Sequence, residues 1–287
     1  MKKKSFAGIP KKYSIIENSK IVLILVPYES DATWKKGSIR GPKAFLNASN
    51  YMELYDIETN SEVYKKGIFI IDFIDDKNSL SSQQMIKKVK NITNKFISKN
   101  KFITLIGGDH SISIGSIKAF GEKYSDDLSI LHMDAHADLR PIYNGDYYNH
   151  ACSMYEASKK YPLIQIGIRS MDITEINNIQ KGNVFYMHKI YKNELWMNNA
   201  INNLSTKYIY ISIDIDVFDP SIAPSTGTPE PGGLYWYTAI KFLRKVFEKK
   251  KVVGFDIVEL LPNDKEHSTD FLSAKLYYKL LSYKYET

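Results

Sequence analysis

The sequence predicts an α/β protein, a three-layer sandwich around a mainly parallel, about eight-stranded central sheet. Three observations carry that prediction. Short apolar runs recur along nearly the whole chain, they are continuous rather than alternating in polarity, and amphipathic stretches lie between several of them. Continuous apolar runs suit parallel strands covered on both faces. Strand–helix alternation implies right-handed crossovers, which place helices on both sides of the sheet.

In chain order, strands are expected at 21–26, 68–74, 102–106, 128–133, 163–168, 184–186, 208–213 and 252–257. The first is representative: Ile-Val-Leu-Ile-Leu-Val has no polar position to turn toward water. Between the second and third runs, Ile86, Val89, Ile92 and Phe96 recur at spacings of three and four, which gathers them on one helical face. Segments 113–124, 235–249 and 268–283 are further helix candidates. No repeat, low-complexity tract or Pro/Ser-rich linker interrupts the pattern, so residues 1–287 are expected to form one domain, with 1–19 as an N-terminal extension.

Composition removes several classes of function. Hydrophobic residues make up 44% and charged residues 25%, the balance of a globular chain rather than a disordered one. One cysteine excludes an intrachain disulfide framework and any thiolate-rich metal site, and points to the reducing cytoplasm. Thirty-nine Lys and Arg against 32 Asp and Glu leave a net charge of +7. That excess could signal nucleic acid or a membrane surface. The lysines, however, are scattered over presumptive helix faces, and the 21 tyrosines form no aromatic ladder, so neither partner is expected. The apolar run at 21–26 is too short and too late for a secretory signal, and nothing approaches a membrane span.

In open parallel sheets, ligands bind at the carboxyl ends of the strands. After the run at 102–106 comes Gly107-Gly108-Asp109-His110-Ser111, where paired glycines permit a sharp turn that presents His110. After 128–131 comes His132-Met133-Asp134-Ala135-His136-Ala137-Asp138. Its alternating Asp134, His136 and Asp138 would project to one side of an extended segment, while His132 is expected to face away in a structural role. After 208–213, Asp214 and Asp216 repeat the i, i+2 spacing. Four carboxylates converging in one cleft repel one another, and each desolvated charge costs several kcal/mol unless paired. Two divalent cations cancel four aspartates and leave two histidines as neutral donors. Oxygen-dominated ligands without thiolate favour manganese over zinc or copper.

These motifs resemble the signatures of the ureohydrolase (arginase/agmatinase) family, agmatinases most closely. The resemblance continues through Asp219-Pro220, Ala223 to Gly233, Asp256-Ile257-Val258-Glu259 and, near the front, Gly37 to Pro42, so that it covers the chain from about residue 20 onward. It implies an arginase/deacetylase-like fold and a site for two Mn(II). One ion would take His110, Asp134, Asp138 and Asp214, and the other Asp134, His136, Asp214 and Asp216, with Asp134 and Asp214 bridging. It further implies that Glu259 clamps the guanidinium and that the loop histidine His150 is general acid or proton shuttle. Hydroxide held by the ions would attack the guanidinium carbon.

The run from Asp138 to His150, with Leu139-Arg140, Tyr143 and Gly145, is similar to agmatinases and implies hydrolysis of agmatine to urea and putrescine. Guanidinobutyrate, aminopropylagmatine and arginine are alternatives, the first because Arg140 could pair with a substrate carboxylate. A single-zinc deacetylase-like amidohydrolase is a further alternative. Tyr235 stands where the family usually has a small hydroxyl residue. His188 and His267 are read as surface residues and Cys152 as a small buried one. The family commonly forms trimers or hexamers, so a homo-oligomer is expected.

Overall fold

Chain order and spatial order part company in the sheet, and that places the site. A computed structural model describes residues 5–72 and 80–286. Its strands are β1 (Ile21–Val26), β2 (Ile68–Asp72), β3 (Phe102–Gly107), β4 (Leu128–Met133), β5 (Leu163–Ile166), β6 (Val184–Phe185), β7 (Tyr208–Asp214) and β8 (Lys251–Val258). They lie in the order β2-β1-β3-β8-β7-β4-β5-β6, and every neighbouring pair is parallel. All eight expected strands are present. The second stops at Asp72 among the described residues, and the last two positions of the run expected at 68–74 lie outside them.

The helices are α1 (Gly41–Ser49), α2 (Ser82–Ile97), α3 (Ile112–Tyr124), α4 (Tyr155–Lys160), α5 (Met187–Ile190), α6 (Leu195–Asn203), α7 (Trp236–Lys249) and α8 (Ser268–Tyr285). Both sheet faces are covered, as continuous apolar strands require. In β1, Ile21, Leu23 and Leu25 join one core with residues of α1, α6, α7 and α8, while Val22, Ile24 and Val26 join the other with α2 and α3. Removing a side chain of this size from water is worth about 1.5–3 kcal/mol. Phe6, before the first strand, is fully buried against Phe45, Tyr277 and Tyr278.

Helices α2, α3, α7 and α8 lie where the periodicity puts them. The short helices were not expected. In α6 the residues Asn198, Asn199, Asn202 and Asn203 are weak helix formers, and packing of Trp196, Met197, Ala200 and Ile201 overrides them. Helix α1 opens on Gly41-Pro42, which reads as a turn but suits a helix's first positions, whose N–H groups have no intrahelical partner.

Candidate metal centre and active site

The four strands that carry the motifs are the four central neighbours, β3-β8-β7-β4. Their carboxyl ends bring together segments separated by up to 149 residues in sequence, as between His110 and Glu259. Directly after β3, Gly108 lets the chain pass against the loop after β1. A Cβ there would lie 2.0 Å from the Tyr28 carbonyl oxygen, so no other residue fits without moving the backbone. The turn delivers His110 at the start of α3, where its ring is buried.

His110 Nδ1 lies 3.1 Å from Asp134 Oδ2, 3.2 Å from Asp138 Oδ2 and 3.4 Å from Asp214 Oδ2. The opposite nitrogen, Nε2, is bonded to Ser212 Oγ at 2.9 Å, and Ser212 donates to the buried Asp256 at 2.7 Å. A second group faces the first across Asp134. His136 Nδ1 is 2.9 Å from Asp216 Oδ2 and 3.5 Å from Asp134 Oδ1. Asp134 therefore turns one oxygen to each histidine. All six residues expected as ligands meet in one place.

The route by which they meet differs from the extended-segment expectation. Asp138 sits at φ 54, in the left-handed region, and Asp216 is reached through a short 3-10 turn at Ile215–Val217. Asp214 Oδ1 accepts the Asp216 amide at 2.8 Å, and Asp216 Oδ1 accepts the Ala135 amide at 3.0 Å. His132 does not face away, as the sequence reading had it. Its Nε2 is 2.8 Å from Asp134 Oδ2, and Gln165 holds its other nitrogen at 3.0 Å. The alternation rule contains the correction, since positions 132 and 134 are i and i+2 and share a side.

The electrostatics are those of a cavity built for cations. Burial raises the Asp214 carboxyl well above its ordinary value, with Asp216 and Asp134 adding to the shift, and burial and Asp134 raise Asp216. Burial alone would lower His110, but three carboxylates raise it well above 6.5. Burial would likewise raise Asp134, yet His132 and His110 hold it well below 3.8. A divalent ion would replace this mutual compensation with a stronger one. The residues fit such an ion: His110 Nδ1 is a buried nitrogen with no hydrogen-bond partner, aimed at three carboxylate oxygens. Two clusters, His110-His132-Asp134-Asp138 and Asp134-His136-Asp216, each gather donor atoms within 4.8 Å of one another.

Glu259, just beyond β8, also adopts a left-handed conformation at φ 63. Its Oε1 accepts the His110 amide at 2.7 Å, and burial together with Asp109 pushes its carboxyl well above the usual range. His150 opens the short turn His150–Cys152, whose N-cap is the buried Asn149, and its Nε2 is 3.0 Å from Thr33 Oγ1. Both residues line a cavity of about 270 Å³ with five of the six clustered residues. Other walls come from Glu29, Asp31, Asp172 and Glu230. Arg140 reaches the same cavity, but its guanidinium is 3.9 Å from the buried Glu175, 3.8 Å from Asp172 and 4.7 Å from the Tyr143 ring centre. Tyr235 is exposed and lines a separate depression with Arg169. His188 and His267 are exposed and Cys152 is buried, as expected.

Sequence reasoning missed Asp109. Buried beside His110, it accepts the Ser30 amide at 2.8 Å and the Ser111 amide at 3.0 Å. It also missed Glu175, whose two oxygens accept the Leu139 and Asp172 amides, each at 2.7 Å, and so join two cavity loops. A capping pattern, Asp172 followed three residues later by Glu175, was the available signal.

The same architecture recurs in known proteins. The profile of the arginase family matches residues 19–282. The chain belongs to the arginase family. A ureohydrolase of this family from Synechocystis sp., named N(1)-aminopropylagmatine ureohydrolase, is 36% identical over 270 residues, covering 92% of this chain and 88% of its own. One of the same name from Thermus thermophilus is 34% identical over 93% and 91% of the two chains. The crystal structure of agmatine ureohydrolase of Thermoplasma volcanium superposes with a TM-score of 0.86 at 26% identity, covering 100% of this chain and 95% of that one. This arginase-family ureohydrolase thus has a buried His/Asp cluster that could hold metal at the centre of its sheet. No helix among its described residues is long and apolar enough to cross a membrane.

Proposed function

We propose that the protein hydrolyses the guanidino group of agmatine or of its N1-aminopropyl derivative, releasing urea and the corresponding amine. The observation that carries this reading is the state of Arg140. Its guanidinium faces Glu175 at 3.9 Å and Asp172 at 3.8 Å, with Tyr143 4.7 Å away, so a substrate carboxylate would compete with two protein carboxylates for it. The remaining cavity wall is mainly acidic, with Glu29, Asp31 and Glu230 against Lys35. A guanidine carrying a distal amine suits that wall; guanidinobutyrate does not. The names of the two relatives at 36% and 34% identity favour the aminopropyl compound as the better substrate.

In this reading His110, Asp134, Asp138 and Asp214 would hold one manganese ion, and Asp134, His136, Asp214 and Asp216 a second. Bound there, the ions would lower the pKa of a coordinated water from about 15.7 toward 7, supplying a nucleophile for an unreactive, resonance-stabilised carbon. Glu259 binds the planar guanidinium through its carboxylate, which orients as well as attracts it. A carboxyl raised by burial gains its full charge when the cation arrives. His150 donates a proton to the departing amine nitrogen, so that the products leave as an ammonium and neutral urea. We further propose that 1–287 acts as one domain with 1–19 as an extension, that the protein works in the cytoplasm as a homo-oligomer, and that nucleic acid and membranes are not its partners.

A urea assay with manganese and four substrates tests the assignment. Agmatine and N1-aminopropylagmatine should yield urea, and guanidinobutyrate and arginine should react at least about a hundredfold more slowly in kcat/KM. Preference for guanidinobutyrate would show that Arg140 is available after all.

A further inference from the structure

The segment from Glu29 to Gly37 carries no expected site residue, yet it forms one wall of the cavity. It is a closed loop. Both carboxylate oxygens of Glu29 accept the Gly37 amide, at 2.8 and 3.1 Å, which ties its two ends together. Asp109, next to His110, pins its start through the Ser30 amide. Compact surface loops whose ends are tied in this way hold their shape without a long helix or strand.

Two contacts then cross the cavity mouth from this loop to the Asp138–His150 segment. Asn144 Nδ2 donates to Asp31 Oδ2 at 2.8 Å, and Thr33 Oγ1 lies 3.0 Å from His150 Nε2. The second contact joins residues 117 apart in sequence. His150 Nδ1 is buried and has no hydrogen-bond partner, so Nε2 is the nitrogen through which the ring's direction can be set. The Tyr143 ring stands edge-on to the imidazole, 5.8 Å between centres at 74°, and restricts it without fixing which nitrogen points where.

We propose that Thr33 is the positioning residue of His150: its hydroxyl holds Nε2 and so orients the imidazole, leaving Nδ1, the nitrogen without a partner, to exchange the proton with the reacting nitrogen. The proposal rests on the reading of His150 as proton donor. A hydroxyl is suited to the task because it accepts from Nε2–H in the imidazolium and equally in the neutral ring left once Nδ1 has given up its proton. It therefore holds the ring in both protonation states. The tied loop keeps the hydroxyl in place while the ring's charge changes.

The test compares Thr33→Val, Thr33→Ser, His150→Asn and the Thr33→Val/His150→Asn double variant, loaded with manganese. Thr33→Val should lower kcat about tenfold with KM within about twofold, and Thr33→Ser should restore wild-type turnover. In the His150→Asn background, Thr33→Val should cost nothing further, because its effect passes through the ring. Manganese content and thermal midpoint should be unchanged by Thr33→Val, since the side chain is on an exposed loop and touches no cluster residue. Unchanged kcat in Thr33→Val, or a further tenfold loss when Thr33→Val is added to His150→Asn, would overturn the proposal. If His150→Asn itself turned over like the wild type, the proton-donor reading would fall first and the proposal with it.

Discussion

Glu259 and His110 are joined directly, the side chain of one to the main chain of the other, with Glu259 Oε1 accepting the His110 amide at 2.7 Å. The carboxylate proposed to hold the guanidinium is thus referenced to the backbone of a proposed metal ligand. Glu259 and His110 share one frame because they follow the ends of adjacent strands, β8 and β3.

Replacing Glu259 by Gln separates charge from geometry. An amide oxygen can still accept the His110 N–H, so the loop keeps its shape, but the negative charge is gone. We expect kcat/KM to fall by about a hundredfold or more with manganese content unchanged, measured by steady-state kinetics and metal analysis on the same sample. Loss of metal in this variant would mean that Glu259 is chiefly a structural support.

His150→Asn should keep both ions and slow kcat by about a hundredfold, the usual scale of a general acid. Urea release in a single turnover, followed by quenched flow, reads the step. A metal-free variant would contradict the assigned role.

Asp214→Asn should trade function for stability. Asp214 is pushed up by burial and by Asp216 and Asp134, so the metal-free protein bears the cost of gathering these groups. Asparagine removes that cost while its carbonyl can still accept the Asp216 amide. The metal-free variant should be more stable than metal-free wild type by about 1–2 kcal/mol in urea denaturation. Manganese at about 100 times its dissociation constant should stabilise wild type by about 2.7 kcal/mol for each ion bound and leave the variant unmoved.

A pH dependence of stability arises outside the cavity, since none of the residues involved lines it. Lys279 Nζ lies 2.8 Å from both Asp56 Oδ2 and Glu58 Oε2, and Arg244 holds the other Glu58 oxygen at 2.8 Å. Burial pushes both carboxyls up, but Lys279, together with Thr59 at Asp56 and with Tyr283 and Arg244 at Glu58, makes the net shift downward from 3.8 and 4.5. Carboxyls lowered on folding add stability above their unfolded values, and that stability is lost as pH falls through the folded ones. Lys279→Met should therefore cost about 2 kcal/mol at pH 7, and the gap from wild type should close below about pH 4. A gap independent of pH would contradict this account.

Much of the site was legible because its spacing is local. The i, i+2 pattern of Asp134, His136, Asp138 and of Asp214, Asp216 needs no tertiary knowledge, and His110 follows a glycine pair whose purpose is a turn. What was not legible is non-local. Nothing in the order of the strands along the chain says that β8 lies between β3 and β7, because parallel pairing is set by crossovers rather than by adjacent turns. The left-handed Glu259 was hidden for a similar reason, since its surroundings and not its side-chain preference hold it there, whereas aspartate visits that region more readily. His132 was misread although its register pointed to Asp134. The loop from Glu29 to Gly37 gave no sign of facing His150, since its contacts lie 113 and 117 residues away. Short helices such as α6 escaped because their propensity is poor and burial alone pays for them.

In the proposed mechanism, paired ions at the carboxyl ends of β3, β8, β7 and β4 drive hydrolysis of a guanidino amine. Urea released from agmatine during titration of metal-stripped protein with manganese tests it most directly. The account predicts no urea without the ion and activity that saturates at two ions per chain, one for each cluster that shares Asp134. Full activity with a single zinc per chain, or no urea at any manganese level from agmatine or its aminopropyl derivative, would contradict it.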